Sequence, residues 1–288
     1  MTHSGLIPVD LGVDIAAWFT TAQFDLADET GRAALAEATG LSLAFASQVH
    51  GTDMAWVLSP PDNQTTAFVY ANRPSGDPNQ PPATSQPAAQ AETKHHWLGR
   101  AFHKHLDQAP PKCDALGSQV RGIGLVMRTA DCVPVLLADP EAGVVAAVHV
   151  GWRGLLAGVI QSAVAAMEAG GAGRHQIRAA IGPAICVDCY EVGQDVAGQA
   201  LAGGHQVKQG PAGGAWLNMP GSTVSQLEQA GARIIEWIDE CTAESPRLYS
   251  WRAERTLSRQ GGVVGLPADR SNETDQRHAG QYAANDLP

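Results

Sequence analysis

The sequence predicts an α/β fold, and three observations carry that prediction. Residues 133–138 (VPVLLA) and 144–150 (VVAAVHV) are short, apolar and rich in β-branched residues, as buried strands are. Residues 139–143 (DPEAG) supply the Pro and Gly of a turn, so the two runs form a hairpin. After Gly154, the apolar residues Leu155, Leu156, Val159, Ile160, Ala163, Val164 and Met167 recur at helical spacing until Gly170-Gly171, and residues 177–181 return to strand character. A 44% hydrophobic fraction over 288 residues is ample for a substantial core, in one large domain or two small ones.

The remaining elements follow along the chain. Residues 13–20 (VDIAAWFT) alternate as a strand. Residues 28–39 are rich in Ala and Glu, with Leu35 and Ala38 on one side and Gly40 placed to end the helix. Residues 43–49 predict a strand that delivers His50 to its end, just before the turn residue Gly51. Residues 59–112 change character: runs such as RPSGDPNQPPATSQPAAQ bury little apolar surface, so this stretch reads as a low-complexity insertion that the rest of the chain does not need. Within it, residues 96–106 have the pattern of a short amphipathic helix, and His95, His96, His103 and His105 read as a solvated cluster. The core resumes at Cys113. Strands are expected at 122–128, 233–238, 248–252 and 262–266, a helix at 222–230, a Gly-rich loop at 203–214 and a polar tail at 267–288.

A formal net charge of −10 argues against a nucleic-acid partner, and an anionic substrate would need local arginines. The five cysteines, an odd number without small-framework spacing, fit a reducing compartment. The first residues lack a basic stretch followed by an apolar one, and no window approaches a membrane span, so the expectation is a cytoplasmic protein with no membrane partner. Cys186 and Cys189 form a CxxC, but with no second pair it predicts neither a zinc ribbon nor a redox motif.

The hairpin dictates the candidate site. Cys132 lies at the mouth of its first strand and His149 near the end of its second, which places a thiol and an imidazole side by side at one sheet rim. That pair suits a metal site, a Cys-His nucleophile, or a buried Cys beside a satisfied core His. Three stretches then converge: Gln48-Val49-His50-Gly51, the run from Thr129 to Leu137 (TADCVPVLL), and the run from Ala147 to Gly154 (AVHVGWRG). Together they resemble the laccase-domain family, also called multicopper polyphenol oxidase-like, purine nucleoside phosphorylase-like or peptidoglycan-editing-factor proteins. The resemblance continues through Ile181-Gly182-Pro183-Ala184-Ile185, Cys189-Tyr190-Glu191-Val192-Gly193, Cys241-Thr242 and Tyr249-Ser250-Trp251-Arg252. It implies one domain over residues 1–266, an α/β sandwich of mixed sheets with flanking helices. The N-terminal quarter lacks the family's Gly-Gly-Val-Ser start and its Asn-Arg stretch, and the family's Thr-Gly-Arg reads here as Leu257-Ser258-Arg259.

The resemblance implies one zinc ion held by His50, Cys132 and His149, with copper the less favoured metal because the only HxH, His103-Lys104-His105, lies in the insertion. Three such ligands leave one tetrahedral position open, the pattern of a catalytic ion. The implied activity is phosphorolysis of purine nucleosides (adenosine, inosine, methylthioadenosine), with adenosine deamination beside it. The alternative is an amidohydrolase that edits a cell-wall precursor, and a copper-dependent polyphenol oxidase is the least favoured reading. Gln48, Arg153, Arg252 and Arg259 are the candidate substrate-binding residues, the arginines because their planar fork grips phosphate. A monomer or homodimer is expected.

Overall fold

The computed structural model describes residues 4–59, 66–71, 105–107 and 109–268. Two mixed sheets pack face to face, and helices cover their outer faces. The first sheet holds β1 (Leu6–Pro8), β2 (Ala16–Thr20), β16 (Gln260–Gly265), β8 (Ile123–Thr129) and β3 (Ser42–Phe45), in that order. The second runs β15 (Arg233–Trp237), β11 (Arg178–Ile181), β9 (Val133–Asp139), β10 (Val144–Val150), β7 (Ala115–Ser118), β4 (Met54–Val57), β5 (Thr66–Tyr70) and β6 (His105–Asp107). Three pairings are parallel, β3 with β8, β4 with β7 and β11 with β15, and the others in these two sheets are antiparallel.

Side-chain alternation sorts each strand between two cores. On β9 and β10, Val133, Val135, Val144 and Ala146 join Leu155, Ile160 and Leu227 beneath the helices. Leu136, Ala138, Val145 and Ala147 instead meet Phe19, Leu125, Met127 and Val264 between the sheets. A third cluster packs Leu35 of α1 (Glu29–Thr39) onto Val126 and Val263. The α1 boundaries follow from its caps: the Asp28 carboxylate accepts from the Gly31 N–H, and Gly40 sits in the left-handed region at φ 67°.

The hairpin forms as its turn chemistry requires. Asp139 accepts from the N–H groups of Glu141 and Ala142, and its other oxygen accepts from Gly173. The resulting register sets Val150 opposite Val133 and His149 opposite Pro134, so Cys132 lies just beyond the paired residues at the His149 end.

Several expected elements change on folding. The helix after Gly154 is two helices, α2 (Trp152–Ala157) and α3 (Val159–Ala169), because Gly158 at φ 84° ends one and starts the next. The expected strand at 248–252 is a turn of helix instead, α4 (Trp251–Glu254): Ser250 caps it by accepting from the Ala253 N–H, which local alternation did not reveal. The Gly-rich loop 203–214 contains β13 (Val207–Gln209), which with β12 (Glu191–Val192) and β14 (Ala215–Leu217) forms a small third sheet. The low-complexity insertion is narrower than its composition suggested. β5 and β6 pair with each other, β5 also pairs with β4, and Phe68 and Val69 are buried. His105 and Leu106 are therefore strand rather than the end of a helix; His95, His96 and His103 lie outside the described residues. The aromatic and β-branched stretch TAFVY was obscured by its Pro- and Gln-rich neighbours.

Candidate functional site

The rim of the hairpin is where the sequence placed it, and His50 joins it. One donor atom from each of His50, Cys132 and His149 lies within 4.8 Å of the others, with His50 Nε2 and Cys132 Sγ 4.0 Å apart. Bond lengths to zinc put the edges of a tetrahedral shell at roughly 3.3–3.8 Å, so small side-chain adjustments suffice to fit an ion there. The two imidazoles meet edge to face, with ring centroids 4.9 Å apart. The strand β10 supplies His149 and the bend just before β9 supplies Cys132, while a turn supplies His50, which takes the left-handed φ of 62°. Asp131, beside Cys132, is also left-handed at φ 97°. Strain of this kind persists only where surrounding contacts hold it.

Those contacts come from two buried carboxylates that the sequence reading did not single out. Asp114 is fully buried and accepts from four donors: the backbone N–H groups of Val49, His50 and Gly51, and Nδ1 of His149 at 2.9 Å. Burial by itself would raise its pKa, but the hydrogen bonds from His149, Gly51 and His50 hold the carboxyl below its ordinary range. A carboxylate only accepts, so it fixes the proton on Nδ1 and leaves Nε2 of His149 to face the cluster. Asp131 accepts from the hydroxyls of Thr242 and Ser250 and from the Arg252 N–H, tying two distant segments to the residue before Cys132. Each is one Asp amid unremarkable neighbours, and only long-range pairing gives it partners. Gly151 is required for a different reason: a Cβ there would lie 2.5 Å from Cδ2 of His50.

The thiol and the imidazole polarise each other. Burial opposes ionisation of Cys132, yet the charge and hydrogen bond of His149, with His50, bring it down to about 6. His149 is pushed up to about 9, burial being outweighed by Cys132 and Asp114. Metal-free protein is therefore expected to carry a Cys132 thiolate above about pH 6 and to lose it as the pH falls further. Peptide mapping after iodoacetamide treatment should show Cys132 alkylation nearly level from pH 7 to 9 and falling about tenfold per unit below 6. Cys113, buried and raised by its surroundings and by Asp114, should stay unmodified. A Cys132 rate still climbing at pH 9 would mean an ordinary thiol.

The triad opens into a cleft of about 870 Å³ whose lining is cationic and aromatic. Arg128, Arg153, Arg252, Arg255 and Arg259 all reach it. Arg153 stacks on the Trp152 indole, with its guanidinium carbon 4.4 Å from the ring centroid, and has no carboxylate partner among the described residues. Arg252 lies over the Tyr190 ring and donates Nη1 to the Glu191 carbonyl. Arg259 turns Nη1 onto the carbonyls of Thr256 and Ser258, and Arg128 reaches back to Ala46. Gln48 lines the cleft too, but its amide pairs with both the carbonyl and the N–H of Arg128, so it pins the His50 segment to β8. Arg128 and Arg255 escaped sequence reading because no local pattern marks them.

Known proteins share parts of this chain. Over 167 residues it is 41% identical to a purine nucleoside phosphorylase of Streptomyces coelicolor, a stretch covering 56% of this chain and 66% of that one, just short of two thirds. Over 83 residues it is 47% identical to an adenosine deaminase from an unknown prokaryotic organism, covering 29% of this chain and 32% of the other. The crystal structure of the hypothetical protein YfiH of Bacillus licheniformis superposes with a TM-score of 0.70 at 20% identity, over 92% of this chain and 97% of that one, which is a likeness of fold. The sequence profile of the multi-copper polyphenol oxidoreductase laccase family matches residues 27–267, and the chain belongs to that family.

Proposed function

We propose that this chain is a zinc-dependent purine nucleoside phosphorylase whose catalytic centre is His50, Cys132 and His149. One observation carries the reading: the triad and five arginines share one cleft in a protein of net charge −10. A cationic cleft in an acidic protein concentrates an anionic reactant, and phosphate is that reactant in phosphorolysis. The donor set of one thiolate and two imidazoles fits zinc, and three protein donors would leave the ion able to take water or a reactant as well. A bound zinc ion would supply a Lewis acid that polarises an oxygen of the reactants.

The chain's own residues do the rest. In phosphorolysis a phosphate oxygen bonds to C1′ of the ribose while the bond from C1′ to the base breaks, and the base leaves with the bonding pair. Arg153 and Arg252 hold the phosphate in the attacking position, their forks matching its oxygens. Trp152, Tyr190 and Trp251 line the same cleft and supply the aromatic surface that a purine packs against. Partial burial pushes the Tyr190 phenol up to about 12, so at neutral pH it remains a hydrogen-bond donor for the departing base. Asp114 keeps the His149 tautomer fixed throughout.

The test is adenosine with and without inorganic phosphate, with adenine, inosine and ribose 1-phosphate quantified. Adenine release that requires phosphate is expected. Arg153→Lys keeps the charge but loses the fork, so it should lower kcat/KM about 10- to 100-fold, the worth of one charge-assisted hydrogen bond, with metal content unchanged. Phosphate-independent inosine production would move the reading to a deaminase. No adenine in either case, together with hydrolysis of a serine-bearing muropeptide precursor, would move it to a cell-wall editing amidohydrolase.

A further inference from the structure

A second cluster of soft donors lies in the loops that build one wall of the cleft. Cys186, Cys189, Cys241 and Glu244 each present a ligand atom within 4.8 Å of the others. We propose that these four residues form a second, structural metal site for a thiophilic divalent ion such as zinc, separate from the His50, Cys132 and His149 centre.

The backbone prepares this site in the way that paired metal knuckles require. Cys186-Val187-Asp188-Cys189 and Cys241-Thr242-Ala243-Glu244 have the same spacing, two donors separated by two residues. Each closes a turn, through the Cys189 N–H on the Cys186 carbonyl at 3.2 Å and the Glu244 N–H on the Cys241 carbonyl at 3.3 Å. A bridge between Ala184 and Cys241 sets the two turns side by side, with Ala184 donating to the Glu240 carbonyl and Thr242 donating to the Ala184 carbonyl. The Cys186 N–H points at Sγ of Cys241 at 3.4 Å, and Cys189 Sγ lies 3.7 Å from Oε1 of Glu244. The missing second half of the CxxC is thus a Cys and a Glu that lie 55 residues downstream.

The chemistry selects the ion. Three thiolates and a carboxylate fill a tetrahedral shell from the protein alone, which is the closed arrangement of a structural rather than a catalytic ion. Thiolates select zinc over the hard cations magnesium and calcium. Without a cation, burial and the neighbouring sulfurs hold the Cys189 and Cys241 thiols protonated. On binding, each of the three thiols releases its proton to solvent, and the site carries a net charge of −2.

The ion would fasten the wall of the catalytic cleft. Ile185 and Tyr190 line that cleft and flank the CxxC. Ile185 donates its N–H to the Asp131 carbonyl at 2.9 Å, and Thr242, next to Cys241, donates its hydroxyl to the Asp131 carboxylate at 2.8 Å. Joining the two turns through one ion therefore braces the residue that precedes Cys132.

The test counts metal in the whole chain and needs no substrate, so its failure is separable from that of the proposed reaction. Protein purified with zinc present should hold two equivalents per chain by elemental analysis. Cys132→Ala should hold one. After chelation, that variant titrated with Co2+ should give the intense thiolate charge-transfer absorption and tetrahedral bands of a site with three sulfurs, saturating at one equivalent. Adding Cys186→Ser and Cys189→Ser should abolish the signal, and should this triple variant fail to fold, the wild-type and Cys132→Ala counts decide alone. One equivalent in the wild type with none in Cys132→Ala overturns the proposal, as does a Cys186–Cys241 disulfide in protein purified under reducing conditions with zinc.

Discussion

Cys132→Ala is expected to leave a folded protein that has lost one equivalent of metal and phosphorolyses adenosine about 10³-fold more slowly or worse. The magnitude follows from the several kcal/mol that a Lewis-acid ion contributes to a developing charge, at one decade per 1.36 kcal/mol. Folding should survive because Cys132 is only partly buried and lies beyond the last paired residues of β9 and β10. Losing so small a side chain costs about 1 kcal/mol of packing. The contrast with Arg153→Lys is diagnostic: both slow turnover, but only the cysteine variant changes the metal count. Full metal occupancy of Cys132→Ala at wild-type turnover would remove the thiol from the site.

Asp114→Asn should do comparable damage without touching a candidate ligand. One carboxylate oxygen accepts from Val49 and Gly51, the other from His50 and His149. An amide presents an NH2 in place of one oxygen, so whichever way it turns, two donors lose their acceptor inside a fully buried site. The expected cost is about 3–5 kcal/mol of stability, the scale for breaking a buried charged pair. Metal affinity should fall about 10- to 100-fold as His149 loses its orienting partner. Acid titration adds a second readout in the metal-free chain. A carboxyl whose folded pKa is depressed contributes stability that is present above its unfolded pKa, near 3.8, and lost as the pH falls through the folded value. The melting temperature of the wild type should therefore fall below pH 4 more steeply than that of Asp114→Asn. Parallel acid limbs would show that Asp114 carries no such linkage.

The hairpin and its two candidate site residues were legible because everything that specifies them is local: an apolar run, a Pro-Glu-Ala-Gly turn and a second apolar run fix the register. The third candidate, His50, needed the family resemblance, since a His before a Gly has no chemistry of its own. What stayed hidden depends on distant partners. Asp114 looks like any Asp until the His50 turn lies over it, and the CxxC looks incomplete until a strand pairing delivers Cys241 and Glu244. Gly158 is the opposite case: helical periodicity runs through it undisturbed, and only its left-handed backbone divides the segment in two. TAFVY was masked by the composition of its neighbours, although its own residues favour a strand.

The hairpin also sets an order of assembly. Its two strands are consecutive in sequence, and pairing of that kind forms on the microsecond scale without waiting for the rest of the chain. His50 must instead be brought to a partner 64 residues away, its own N–H donating to Asp114 across that separation. Non-local closure is the slow step in such topologies. The expected order brings Cys132 and His149 together first as half of the proposed metal site, the third donor following when β4 docks in parallel on β7. Ions present during refolding would meet a two-coordinate chelate before the finished centre exists, so refolding in free zinc and reconstitution of the folded apoprotein should follow different kinetics to the same end state.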